Sequence, residues 1–146
     1  MSDSTASPPV HSLRKDRVRL IYLVKRRKDM THEEFANYWL NVHSRIFAGS
    51  RVAHYYMSRY EQMHPSAVTA KAWAEKYGIP ATTFDGVGLF EANSFEDIRA
   101  VFDSPEYKAH IHRDEYNFID HGASQIIPMN YWVGFDHTDR DTKAKL

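Results

Sequence analysis

The segment THEEFANYWLNVH, Thr31 to His43, decides the reading of this chain. Thr31 followed three residues later by Glu34 is a capping box, in which hydroxyl and carboxylate satisfy reciprocal backbone donors at a helix start. Phe35, Tyr38, Trp39 and Val42 then recur at the three-to-four-residue spacing of a helix that buries one face. His43 lies one turn beyond Trp39, at the end of that stripe, which aims it at an interior or at its mouth. An imidazole there can exchange a proton near neutral pH. A hydrogen-bonded helix-end histidine with no chemistry is the competing reading, and residue type alone leaves both open.

Working outward, the chain alternates strand and helix. Val18, Leu20, Ile21, Tyr22, Leu23 and Val24 predict a strand over 17–26 with apolar side chains on both faces. The helix spans 32–41, with a short continuation through Ile46 and Phe47 before Gly49 and Ser50 break it. A second strand is predicted over 53–63, then a helical linker between Pro65 and Tyr77 ending at Gly78-Ile79-Pro80. A third strand covers 84–92. Ser94, with Glu96 and Asp97 in the next turn, caps a helix burying Phe95, Ile98, Val101 and Phe102. Helix restarts at Ser104-Pro105, carries Tyr107, Ile111, Tyr116, Phe118 and Ile119, and stops at Gly122. The last strand is predicted over 124–135. Residues 1–16 read as a disordered leader and 136–146 as a flexible tail, leaving one domain over 17–135.

This order predicts an α+β fold: a ferredoxin-like βαββαβ antiparallel sheet with both helices on one face. The other sheet face is then uncovered by its own chain, although the strands are apolar on both sides. A second copy of the sheet is the simplest cover, giving a homodimeric α+β barrel whose pocket is lined by that face.

Composition narrows the function classes. Lysine plus arginine equals aspartate plus glutamate at 19 each, so no global field favours nucleic acid or an anionic membrane. The run Lys25-Arg26-Arg27-Lys28 reads as a solvated strand end. The chain contains no cysteine, which excludes disulfides, thiolate nucleophiles and zinc ribbons. No signal-peptide core or membrane-length apolar run is present, so the expectation is a cytoplasmic protein. Nine tyrosines and nine histidines supply side chains suited to a pocket for a flat, oxygenated ligand, and equally to ordinary packing.

Several further residues are candidates. His64 follows the second strand in the same alternating phase as Tyr56, Tyr60 and Gln62, which is taken as the pocket face. Its competing reading is an exposed strand end beside Pro65. Asp85 alternates with Val87, Leu89 and Glu91, while Gly86 and Gly88 fall on the other face, where a helix can approach closely. Asp85 and Glu91 therefore face the expected pocket, unless Asp85 only shapes the turn before Gly86. His110 and His112 point about 200° apart on a helix and cannot share one ion. His110 and Asp114 alone make a poor site, so no metal is expected. Tyr22, Trp39, Phe102, Tyr116 and Phe118 read as wall or core. Nothing resembles a phosphate loop, nucleophile elbow or dinucleotide fingerprint.

Taken together, Tyr38-Trp39 with Val42-His43, Arg59-Tyr60-Glu61-Gln62 with His64, Phe84-Asp85-Gly86-Val87, Phe90-Glu91-Ala92, Ser104-Pro105-Glu106-Tyr107 and Asp114-Glu115 with Asn117-Phe118-Ile119-Asp120 resemble the EthD-domain proteins of the dimeric α+β barrel superfamily. The detail is most similar to small fungal EthD-type enzymes of aromatic polyketide pathways, the atrochrysone carboxylic acid decarboxylase type. The resemblance implies a cofactor-free lyase acting on an aromatic polyketide acid. It implies His43 as the proton-transfer residue, matching a histidine of related lactone isomerases. Where plant cyclases of this fold carry a histidine, Tyr107 stands here, which puts a cyclase mechanism in doubt. The expected roles are His43 as general acid and base, Tyr60 or Tyr107 as donor to an enolate, and Asp85 or His64 as orienting partner. Tyr22, Tyr38, Trp39, Tyr56, Val87, Glu91, Phe102 and Phe118 are expected to contact substrate. A cyclase or isomerase in the same pocket, and a non-catalytic small-molecule binding protein, are the alternatives.

Overall fold

A computed structural model describes residue 7 and residues 10–139. The expected leader and tail at residues 1–6, 8, 9 and 140–146 lie outside the described residues. The β-branched and aliphatic run Val18–Val24 forms β1 at the centre of the sheet. Strands β2 (Met57–Met63), β3 (Gly86–Ala92) and β4 (Gln125–Met129) complete a four-stranded antiparallel sheet of order β2-β3-β1-β4. That is the ferredoxin-like arrangement, with the crossover helices on one face.

The register decides which side chains meet the helices. Val18, Leu20, Tyr22 and Val24 lie opposite Ala92, Phe90, Gly88 and Gly86, and Tyr60 and Gln62 lie opposite Phe90 and Gly88. These residues look toward the helices. The alternate set looks away: Arg19, Ile21 and Leu23, with Leu89 and Val87 of β3, Met63 of β2, and Ile127 and Met129 of β4. Met63, Ile127 and Met129 are 39, 37 and 40% exposed, so among the described residues nothing covers an apolar row on that face.

Thr31 caps α1 (His32–Tyr38), its hydroxyl accepting from the Glu34 N–H at 3.1 Å. The helix then widens into a π-helical turn over Trp39–His43 and continues as α2 (Ser44–Ala48). Such turns insert a residue into the helical ladder and re-aim the side chains around it. Trp39 lies flat over β3: a β-carbon at Gly86 would overlap its indole ring, which is why glycine occupies that position. A second π-helical turn, Tyr107–His112, leads into the short α6 (Arg113–Glu115). Between these lie α3 (Arg51–Tyr56), α4 (Ala67–Tyr77) and α5 (Phe95–Phe102). Gly78 ends α4 in the left-handed conformation at φ 68°.

Residues 53–56, expected in the second strand, are helical. Ser50 caps Ala53 at 3.2 Å and the Glu106 carboxylate accepts from the Arg51 and Val52 N–H groups, so two local acceptors start a helix despite strand-like composition. Tyr56 therefore belongs to α3 and packs beside the core. The last strand ends at Met129, and Phe95 and Tyr116 are exposed. Residues before β1 are tied to the rest of the chain by the Arg14 N–H, which donates to the Tyr131 carbonyl at 2.8 Å, and by Arg17, which donates to Glu91. Two apolar clusters fill the space between helices and sheet. One gathers Leu20, Phe47, Phe90, Val101 and Ile111; the other gathers Val24, Phe35, Trp39, Phe118 and Ile119. No helix among the described residues is long and apolar enough to cross a membrane.

Candidate active site between the helices and the sheet

The first π-helical turn delivers His43 inward, where it is only 5% exposed. Its Nδ1 lies 2.8 Å from Asp114 Oδ2, and its ring packs 4.8 Å from Phe118. The other oxygen of Asp114 accepts from the Tyr38 hydroxyl at 2.6 Å and from Asn117 Nδ2 at 3.1 Å. Burial pushes the Asp114 carboxyl up, but donation from Tyr38, His43 and Asn117 outweighs it and holds the group below its ordinary range. An ionised aspartate at Nδ1 fixes the tautomer, so Nε2 is the basic nitrogen. This is an imidazole oriented and electrostatically supported for proton transfer.

His43 borders a narrow cavity of about 20 Å³, the room of one water molecule. Its polar lining is Tyr22, Tyr60, Tyr107 and Glu115, and its walls include Trp39, Phe47 and Phe90. Burial raises the Tyr60 phenol to about 12. Burial also raises Tyr22, and burial followed by the Glu115 charge raises Tyr107. All three phenols stay protonated at neutral pH; the Tyr107 hydroxyl donates to Glu115, whereas the Tyr60 hydroxyl accepts from Gln62 and keeps its own proton for a developing oxyanion. Phe47 and Tyr60, 4.2 Å apart, separate the cavity from an outer groove of about 230 Å³ bounded by α3 and β2.

The pocket thus lies on the helix face of the sheet, where the sequence reading placed it on the uncovered face. The phase of Tyr60 and Gln62 does face the site. His64, however, is exposed; it reaches Tyr60 only through Gln62, whose Oε1 is 3.0 Å from His64 Nε2 and whose Nε2 donates to the Tyr60 hydroxyl at 3.0 Å. Asp85 is elsewhere: it accepts from the Arg26 N–H at 3.0 Å and lies 3.0 Å from His32 Nδ1, pinning the start of α1 to the end of β1. The orienting partner of His43 is Asp114 instead. Glu91 and Val87 point to the opposite sheet face, where Glu91 is bound by Arg17, Arg19, Ser58 and Tyr131. Their expected substrate contact is corrected by the strand register: odd positions of β3 turn away from the helices. Phe102 packs behind Phe90 and Tyr107, Phe118 behind His43, and Tyr38 behind Asp114, each supporting the site without lining the cavity.

Asp114 and Glu115 were not singled out as site residues, yet a signal was present. Tyr107, Ile111, Glu115 and Phe118 follow helical spacing, so a carboxylate occupies a stripe position. Glu115 is 4% exposed, takes the Tyr107 hydroxyl on one oxygen, and has His121 Nε2 at 2.8 Å and His112 Nδ1 at 3.3 Å from the other.

A ferredoxin-like α+β protein with a buried His–Asp pair facing phenols between helix and sheet is the class defined so far. Residues 27–122 match the EthD domain model, and the chain belongs to the EthD-domain family. No curated protein sequence matches it. Among solved structures, it is similar to a dimeric ferredoxin-like protein of unknown function from Bacteroides fragilis, with TM-score 0.59 and 14% identity over 82% of this chain and 100% of that one. An EthD family protein from Bacillus halodurans gives TM-score 0.55 and 14% identity over 80% and 99%. The hydroxynitrile lyase of Passiflora edulis gives TM-score 0.52 and 11% identity over 85% and 99%. At these identities the likeness is one of fold.

Proposed function

We propose that the chain is an acid–base lyase that decarboxylates an aromatic or pre-aromatic polyketide β-keto acid. The observation that carries this reading is the buried His43–Asp114 pair beside three protonated phenols at one cavity. Membership of the EthD family supports it, and the fold likeness to a lyase is consistent with it. In the reaction, the bond from the α-carbon to the carboxylate breaks and carbon dioxide leaves. The electron pair moves onto the β-carbonyl oxygen as an enolate, which Tyr60 stabilises by donation, the Tyr107 hydroxyl being committed to Glu115. His43, as imidazolium held by Asp114, then protonates the α-carbon and recovers its proton from solvent. The cavity as it stands holds no ring system. Substrate enters through the outer groove, displacing the Phe47–Tyr60 partition so that the two volumes join. The apolar row on the far sheet face pairs two copies into a homodimer; the Bacteroides fragilis neighbour is itself described as dimeric.

The test is turnover of His43→Gln with a polyketide β-keto acid, followed by carbon dioxide release. Glutamine keeps a hydrogen bond to Asp114 but cannot cycle a proton, so the fold should persist while turnover falls about 10²–10⁴-fold. Asp114→Asn should lose activity with an intact fold, because an amide no longer supports the imidazolium. A fully active, folded His43→Gln protein overturns the mechanism. Conversion without loss of mass would identify a cyclase or isomerase instead.

A further inference from the structure

Glu115, which lines the cavity beside His43, also gathers two histidines, His112 and His121, that do not line that cavity. Its Oε2 faces His121 Nε2 at 2.8 Å and His112 Nδ1 at 3.3 Å, and the three potential ligand atoms lie within 4.8 Å of one another. The sequence reading set His112 against His110 and found no site; folding instead brings in His121 from the 3₁₀ turn His121–Ala123, nine positions along. We infer that His112, Glu115 and His121 form a binding site for one divalent transition ion of the zinc class, the donors being Nδ1, Oε2 and Nε2.

Three features support the assignment. The first is charge. Glu115 is buried, and among the described residues no lysine or arginine nitrogen lies within ion-pair distance of it, whereas Glu91 has Arg17 and Arg19 and Asp85 has Lys25 and Arg26. A buried carboxylate without a fixed counter-ion is costly, and a bound cation supplies the missing charge. The second is geometry. Donors around a tetrahedral zinc ion stand about 3.4 Å apart, given bond lengths of about 2.0–2.1 Å. Two separations, 2.8 and 3.3 Å, lie close to that value and the third is no more than 4.8 Å, and the His112 and His121 side chains, 41 and 28% exposed, have room to adjust and leave a fourth position open to solvent. The third is support from behind. The Tyr107 hydroxyl donates to the remaining oxygen of Glu115, the kind of outer hydrogen bond that orients a ligating carboxylate. Two imidazoles with one carboxylate suit zinc and its neighbours rather than calcium or magnesium, which take oxygen ligands. Arg27, which lines the same groove as His121, is paired with Asp29.

The experiment uses the untagged full chain, stripped with chelator and desalted, titrated calorimetrically with zinc chloride and separately with calcium chloride near neutral pH. One saturable zinc site per chain and no calcium site are expected. His121→Ala and His112→Ala should each weaken zinc at least tenfold, Tyr107→Phe about tenfold through the outer hydrogen bond, and His110→Ala not at all. Circular dichroism confirms that the variants fold, which the partial exposure of both histidines favours. Absence of saturable zinc binding, or binding unchanged in both histidine variants, overturns the site and leaves a hydrogen-bond cluster. Because binding is read without turnover, this outcome is independent of the His43 mechanism.

Discussion

Replacing Glu91 by glutamine removes one negative charge from the sheet face that looks away from His43. In the folded chain that carboxylate is 5% exposed and accepts from Arg19 Nε at 2.9 Å, Arg17 Nη1 at 3.1 Å, Ser58 Oγ at 3.1 Å and the Tyr131 hydroxyl at 2.8 Å. Burial alone would raise the carboxyl, but Arg19, Tyr131, Arg17 and Ser58 outweigh it and hold the group at about 2 against an ordinary 4.5. The ionised folded state is thereby favoured by about 3 kcal/mol. A depressed carboxyl contributes its stability in full above the unfolded value and loses it as pH falls through the folded one. The difference between wild type and Glu91→Gln should therefore be about 3 kcal/mol at pH 7, shrink to about 1.4 kcal/mol near pH 3, and vanish below about pH 2. Urea denaturation across that range measures it, with turnover at pH 7 on the same samples. Glu91 should move stability and leave the turnover of folded enzyme within about twofold. A large loss of turnover at unchanged stability would return Glu91 to the pocket and refute the face assignment from the register.

Gly86→Ala should destabilise by at least about 1–3 kcal/mol, because the new methyl meets the Trp39 ring and the π-helical turn it anchors; the urea midpoint reports this. Turnover should fall with it, since that turn carries His43. Gly78→Ala should cost about 1 kcal/mol through its left-handed backbone at φ 68° while leaving turnover unchanged, as nothing crowds the position. Light scattering should give a dimer at micromolar concentration, and Ile127→Lys on the apolar row should shift it toward monomer. A monomeric wild-type chain removes the sheet-to-sheet pairing.

Much of the fold was legible because its signals are local. The Thr31 cap, the Phe35 and Trp39 spacing, the Ser94 cap and the Gly78 stop are each decided within one or two helical turns, and each stands in the structure. The alternation of Gly86 and Gly88 against Asp85 and Glu91 correctly gave the glycines to the helix face. What failed was non-local. Residues 53–56 became helix because Glu106, more than fifty positions away, accepts from the Arg51 and Val52 N–H groups at the start of that helix. His43 found its partner in Asp114 rather than Asp85, a choice made only when the second crossover packs on the first.

The sequence by itself determined the α+β class, the helix starts at Thr31 and Ser94, the stop at Gly78 and an inward histidine at residue 43, since periodicity and capping act over a few residues. Only the tertiary structure decided which face of the sheet holds the site, which carboxylate orients His43, and that His112 and His121 converge on Glu115. Those facts depend on strand register and on two π-helical turns, and a one-residue change in either would turn the same side chains to the other side.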